Sequence, residues 1–131
     1  MVRTITVLCL VAAVASSACS RHDRRLQQHQ KVMQSLGSTT HAIVGAWLTG
    51  QTSGTYTQTA LERTFRLIEQ ERTAVASTPE TLMDQRGARL SDMADQMSRL
   101  VALVMNDVRV ADGAAARRHL ALLPDNAHDG R

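Results

Sequence analysis

The sequence predicts a small all-α protein, an antiparallel bundle of three long helices with a short fourth helix at the C-terminal side. Apolar residues recur at steps of three, four and seven along three long stretches. The 131 residues include only two prolines, whereas the helix formers Ala, Leu, Gln and Arg are abundant. Because polar segments rich in helix breakers separate these stretches, the helices are expected to fold back on one another through short connections.

The first 18 residues are predicted to be an export signal that does not belong to the bundle. Arg3 gives the segment a positive start, residues 5–15 form an uncharged apolar run, and small residues continue to Ala18. This run is too short to span a hydrocarbon core of about 30 Å. Cleavage by an ordinary signal peptidase after Ala18 would leave an exported chain that is soluble in the periplasm or secreted.

Residues 1–20 also resemble the signal peptide of a bacterial lipoprotein, since small residues directly precede Cys19 and a basic stretch, residues 21–25, follows Ser20. The resemblance implies that the sulfur of Cys19 receives a diacylglyceryl group and that cleavage between Ala18 and Cys19 makes this cysteine the new N-terminus. The expected partner is then a bacterial membrane, held through the lipid on its periplasmic face. No family resemblance is evident in the remainder of the chain.

This interpretation divides the chain into four parts. A signal peptide, residues 1–18, precedes a lipid-tethered basic segment, residues 19–25. The helical bundle is predicted over residues 26–123, and the polar residues 124–131 are expected to form a disordered tail.

Charge and cysteine content exclude several classes of protein. The chain carries 15 Lys and Arg against 12 Asp and Glu, and positive residues are bunched only at 21–25 and 117–118. Aromatic residues make up 2% of the chain, too few for a base-stacking surface, so no nucleic-acid partner is expected. Cys9 lies in the signal and Cys19 is the expected lipid site, so neither a disulfide nor a thiolate metal site is expected.

The first two helices are predicted over residues 21–48 and 55–76. The first carries an apolar stripe that comprises Leu26, Met33, Leu36, Ile43, Val44 and Trp47. The segment 49–55, rich in Gly, Thr and Ser, separates the two helices. Thr78 is expected to cap a short turn over residues 79–84 that begins with Pro79.

The third helix, predicted over residues 88–110, has the most regular pattern in the chain, and Gly87 is expected to separate it from the preceding turn. Asp112 is expected to cap the fourth helix, residues 113–123. The stripe of the third helix could pair with a second copy as a coiled coil, but packing within one bundle is the expected arrangement. The predicted core comprises Leu61, Phe65, Ile68, Leu90, Met93, Met97, Leu100 and Val104.

No catalytic motif occurs, whether GxSxG, a P-loop, HExxH or CxxC. We therefore expect no enzyme, but a non-catalytic interaction or structural module at the cell envelope. The sequence names no protein partner and does not fix the oligomeric state.

A set of histidines and methionines suggests an alternative, a periplasmic bundle that binds haem or a metal. Imidazole and thioether groups are ligands for haem iron and Cu(I), and cofactor ligands in helical bundles project inward from facing helices. Because methionine also fills gaps in ordinary cores, we expect no cofactor. The candidate ligands, which share helical spacing on facing helices, are His29, Met33, Met93, Met97 and His119.

Trp47 and Tyr56 flank the predicted first loop and are candidates for contact with a protein partner. The alternative is that Trp47 closes the end of the bundle and Tyr56 packs beside it. Packing is the expected arrangement, because a chain with so few aromatic residues needs them in its core.

Overall fold

The computed structural model confirms the all-α fold. It describes the backbone of residues 2–124 and the side chains of residues 21–79 and 81–124, and no strand occurs in that part of the chain. Helix α1 spans Val2–Leu48, α2 spans Gly54–Ser77, α3 spans Gln85–Arg109 and α4 spans Gly113–Leu120. A 3-10 turn, Pro79–Leu82, lies between α2 and α3. The side chains of Ala18 and Cys19 and the predicted tail at residues 125–131 lie outside the described residues.

Helices α1, α2 and α3 pack against one another in antiparallel order, which gives the bundle two ends. We call residues 21–26 and 77–87 the proximal end, because α1 enters the bundle there. Residues 47–56 and 108–113 form the distal end. Among the described residues, no helix combines the length and the apolar character needed to cross a bilayer.

The connection from α1 to α2 is a Schellman turn followed by a serine cap. Gly50 has a φ of 75°, in the left-handed region that glycine adopts without steric cost. The amide of Gln51 donates to the carbonyl of Ala46 at 2.8 Å, which closes the turn. Ser53 then begins α2, because its Oγ accepts a hydrogen bond from the amide of Tyr56 at 3.2 Å.

Helix α3 begins three residues before its predicted start at Ala88. Asp84 is the N-cap, since its Oδ1 accepts a hydrogen bond from the amide of Gly87 at 2.9 Å. Gly87 therefore lies inside the first turn of α3 and does not separate two elements. A Cβ atom on Gly87 would lie 2.4 Å from the carbonyl oxygen of Thr81, so this glycine permits close approach of the helix to the preceding turn.

Helix α4 leads back from the distal end along α1. Asp112 caps it as predicted, with Oδ1 accepting from the amide of Ala115 at 3.0 Å, although α4 ends at Leu120 and not at residue 123. The ring of His41 in α1 lies 3.4 Å from the carbonyl oxygen of Leu123. The last described residue, Pro124, contacts the backbone of α1 at Gly37.

Two clusters of buried apolar side chains form the core. The predicted core residues are confirmed: six are buried, and Phe65 and Met93 are half-buried against the larger cluster. The apolar stripe of α3 supplies both clusters and so packs within its own chain. The larger cluster, on the proximal side, comprises Leu26, Met33, Leu36, Ile68, Val75, Leu90, Ala94, Met97, Leu100, Val101 and Leu123. The smaller cluster, on the distal side, comprises Val44, Leu61, Val104, Val108 and Ala116.

Candidate functional site

The distal end of the bundle holds a solvent-accessible cleft where the end of α1, the start of α2 and the end of α3 meet. We call it the distal cleft, and its volume is about 560 Å³. The cleft is open to solvent and is not an enclosed pocket. Its lining residues are Trp47, Gly54, Thr55, Gln58, Thr59, Val108, Arg109 and Ala111.

Three features of the distal cleft suit it to bind a polar group beside an apolar one. The Oε1 atom of Gln58, a residue of the lining, is buried and has no hydrogen-bond partner among the described residues. The guanidinium of Arg109 offers several donors. Ala111 has a φ of 55°, an unusual conformation for a residue other than glycine, and it brings the backbone of the α3–α4 turn to the rim.

The two aromatic candidates occupy different environments. Trp47 is half-buried and packs against the smaller core cluster, as expected of a residue that closes the end of the bundle. The expectation that Tyr56 packs beside it is wrong, because Tyr56 is 64% exposed. Tyr56 instead lines a neighbouring surface depression with Thr59 and Arg63 on α2. The same end also exposes Val110, at 62%. An aromatic and an aliphatic side chain are therefore available to a partner there.

The histidines of the predicted ligand set each contact a carboxylate. His29 Nδ1 hydrogen-bonds to Glu71 Oε1, and its Nε2 lies 3.5 Å from Thr78 Oγ1. His119 Nδ1 lies 2.6 Å from Oδ2 of Asp107, a buried residue. The two histidines lie towards opposite ends of the bundle, because Thr78 follows the end of α2 and Asp107 stands near the end of α3.

The methionines of that set belong to the core. Met33 and Met97 are completely buried in the larger cluster, and Met93 packs against the same cluster. The thioethers therefore come together, but neither His29 nor His119 belongs to the cluster. In the described part of the chain, no three His, Cys, Asp or Glu side chains are grouped as a metal site. The structure thus places the three methionines in or against the larger cluster and the two histidines in contacts with carboxylates outside it.

The proximal end is held by a charged network around Asp84. While Oδ1 of Asp84 caps α3, its Oδ2 lies 2.9 Å from Nε2 of His22 in α1. Arg86 forms an ion pair with Asp23, also in α1. The hydrogen bonds from His22 and from the amide of Gly87 lower the pKa of Asp84. Residues 22 and 23 thus join α1 to α3.

A second charged network links the outer faces of α2 and α3. Arg72 forms an ion pair with Glu69 at 2.8 Å and contacts Asp95 at 3.4 Å. Ser98 Oγ donates to Oε1 of Glu69. The hydrogen bonds from Arg72 and Ser98 lower the pKa of Glu69, because they stabilise its charged form. Arg72 therefore has a structural role, because it joins α2 to α3.

Sequence reasoning missed Leu82, the last residue of the 3-10 turn, and Met83, which follows it before α3. They are the most exposed large apolar residues among those described, at 80% and 79%. Their exposure could have been predicted from the sequence, because the short connection between Pro79 and the N-cap Asp84 can bury few side chains.

The fold and its sites define a small all-α bundle with an open cleft at one end and an exposed apolar pair at the other. Comparison with protein-family models, curated proteins and solved structures found no match for this chain.

Proposed function

We propose that this chain is an exported lipoprotein, a non-catalytic helical bundle anchored at Cys19 that presents its distal end to a protein partner at the cell envelope. The observation that supports this proposal is the polarity of the bundle. Cys19 precedes His22 of the proximal network by less than one helical turn. The distal cleft and the exposed side chains of Tyr56 and Val110 lie at the opposite end.

The chemistry of the distal end indicates a protein partner. Tyrosine and arginine are enriched among the residues that dominate protein–protein binding, and both occur here as Tyr56 and Arg109. Arg109 is exposed in the lining of the cleft, and its guanidinium can donate hydrogen bonds to carbonyl or carboxylate groups of a partner. Trp47 forms an apolar wall that is already fixed by packing, so little ordering is needed on binding.

The anchor is tested by mass spectrometry of the full chain extracted from membranes. We expect the mature protein to begin at Cys19 and to carry the mass of a diacylglyceryl group and any further acyl chain. The matched control is Cys19→Ser, which is expected to lose the added mass and leave the membrane fraction. A mature wild-type chain with an unmodified Cys19 would contradict the anchor.

The partner site is tested by site-specific photocrosslinking in living cells. A photoreactive residue at position 56 is expected to give one discrete crosslinked protein, identified by mass spectrometry. The control places the same residue at Leu67, which is 51% exposed on α2 but lies away from both ends. The same product at both positions, or none at position 56, would argue against a distal contact site.

A further inference from the structure

The connection before α3 exposes two apolar side chains in a fixed position. Thr81, the residue before them, is buried, and its Oγ1 donates to the carbonyls of Val75 and Thr78 at 2.7 Å each. Asp84, the residue after them, is held by its bonds to His22 and to the amide of Gly87. Leu82 and Met83 therefore project from a turn that is fastened on both sides, and they do not lie on a loose loop.

The same turn lies beside the predicted anchor. The contact of 2.9 Å between His22 and Asp84 places this part of α1 next to the start of α3. Cys19 is three residues before His22 on the same continuous helix, about 4.5 Å along its axis. No loop separates the expected lipid from the bundle, so a lipid on Cys19 would hold the proximal end at the bilayer surface.

The charge of this end suits an anionic lipid surface. Five exposed arginines lie on the proximal part of α1 and on the first turns of α3, namely Arg21, Arg24, Arg25, Arg86 and Arg89. The same segments, residues 21–26 and 77–89, contain three acidic residues, so their formal charge is +2. One of the five arginines, Arg86, is paired with Asp23. Each basic residue close to such a surface is attracted to its negative potential.

We propose that Leu82 and Met83 insert into the interfacial region of the membrane that carries the lipid anchor, with the exposed arginines of the proximal end against anionic headgroups. This proposal rests on the proposed function, because it requires the anchor at Cys19. The bundle would then contact the bilayer at two points, the acyl chains and the 82–83 turn, and its orientation on the membrane would be restricted.

The test uses the full chain with Met83→Cys, extracted with its native anchor and labelled with a polarity-sensitive fluorophore. Cys9 leaves with the signal, and the sulfur of Cys19 is blocked as the thioether of the diacylglyceryl group, so the introduced thiol is the one that reacts. The protein is reconstituted in vesicles of phosphatidylethanolamine and phosphatidylglycerol. The matched control is Val110→Cys, a similarly exposed apolar position at the distal end.

We expect brominated lipids to quench the label at position 83 severalfold more than the label at position 110, and aqueous iodide to show the opposite preference. Quenching by iodide to the same extent at both positions would overturn the proposal. Protection of position 83 from both quenchers would also overturn it, since a protein would then cover the turn.

The mass of the lipid on Cys19, measured on the same preparation, distinguishes a failure of the insertion proposal from a failure of the anchor proposal. An acylated chain whose label at position 83 remains in water contradicts the insertion of the turn but leaves the anchor intact. An unmodified Cys19 overturns the anchor, and the insertion proposal with it. Leu82→Cys, labelled in the same way, is a second reporter and is expected to follow Met83→Cys.

Discussion

Replacing Gly87 with alanine is expected to destabilise the bundle, although alanine is the better helix former. The new Cβ would lie 2.4 Å from both Cα and the carbonyl oxygen of Thr81. Optimal contacts between such atoms begin near 3.5 Å, so the turn would have to move by about 1 Å. Thr81 cannot move freely, because its hydroxyl is buried and bonded to two carbonyls.

The expected net loss is about 2 kcal/mol in the free energy of unfolding. Overpacking of this kind costs about 1–3 kcal/mol, and a disturbed buried hydrogen bond costs about 1 kcal/mol more. The helix propensity of alanine returns at most about 1 kcal/mol. For a domain of this size, the loss corresponds to a fall of roughly 10 °C in Tm, measured by thermal unfolding followed by circular dichroism.

Gly45→Ala is the matched control, because it makes the same substitution inside α1. No atom lies within 4 Å of the position that its Cβ would take. This variant is expected to raise the free energy of unfolding by up to about 1 kcal/mol. If Gly87→Ala were as stable as Gly45→Ala, close packing of α3 on Thr81 would not be the reason for glycine at position 87.

Three further outcomes are expected. Ala111→Gly should raise the free energy of unfolding by about 1 kcal/mol, because it relieves a left-handed conformation; an unchanged denaturant midpoint would contradict this. His119→Ala should lower the free energy of unfolding by about 1–3 kcal/mol and speed amide hydrogen exchange in α4, because the carboxylate of Asp107 loses its partner. Unaltered exchange would show that this pair does not hold α4 in place. The pKa of Glu69 lies below its ordinary value of 4.5, so its contribution to stability is complete above pH 4.5 and is lost as the pH falls through the lower pKa of the folded state. Glu69→Gln should therefore reduce the loss of stability in this acid range, measured by circular dichroism during an acid titration.

Periodicity predicted the helices and the core because burial in a bundle repeats along the chain. Met97 and Val104 are completely buried, as their spacing indicates, and Asp112 caps α4 where its position before a helical stretch predicts a cap. These features depend on residues within a few positions of one another, and a single sequence contains that information.

Features that depend on distant parts of the chain were not predicted. Glycine between two helical patterns is typical of a helix break, but Gly87 lies within α3, where its lack of a side chain permits contact with the turn at Thr81. The bond between His22 and Asp84 joins residues 62 positions apart, so spacing along one helix could not indicate it. The side chain of Tyr56 is exposed because of where the first loop places it, and its residue type alone favoured burial.

If the chain is anchored at Cys19, the continuity of α1 restricts the distance between the bilayer and the distal end of the bundle. From Cys19 to Leu48 the helix runs without interruption, a length of about 44 Å at 1.5 Å per residue. A flexible linker would let the bundle sample many distances from the bilayer. A continuous helix makes that distance depend on tilt alone, and a turn inserted at positions 82–83 would restrict the tilt. A partner embedded in the same membrane would then need its contact surface at a matching height, so the bundle would select partners by distance as well as by chemistry.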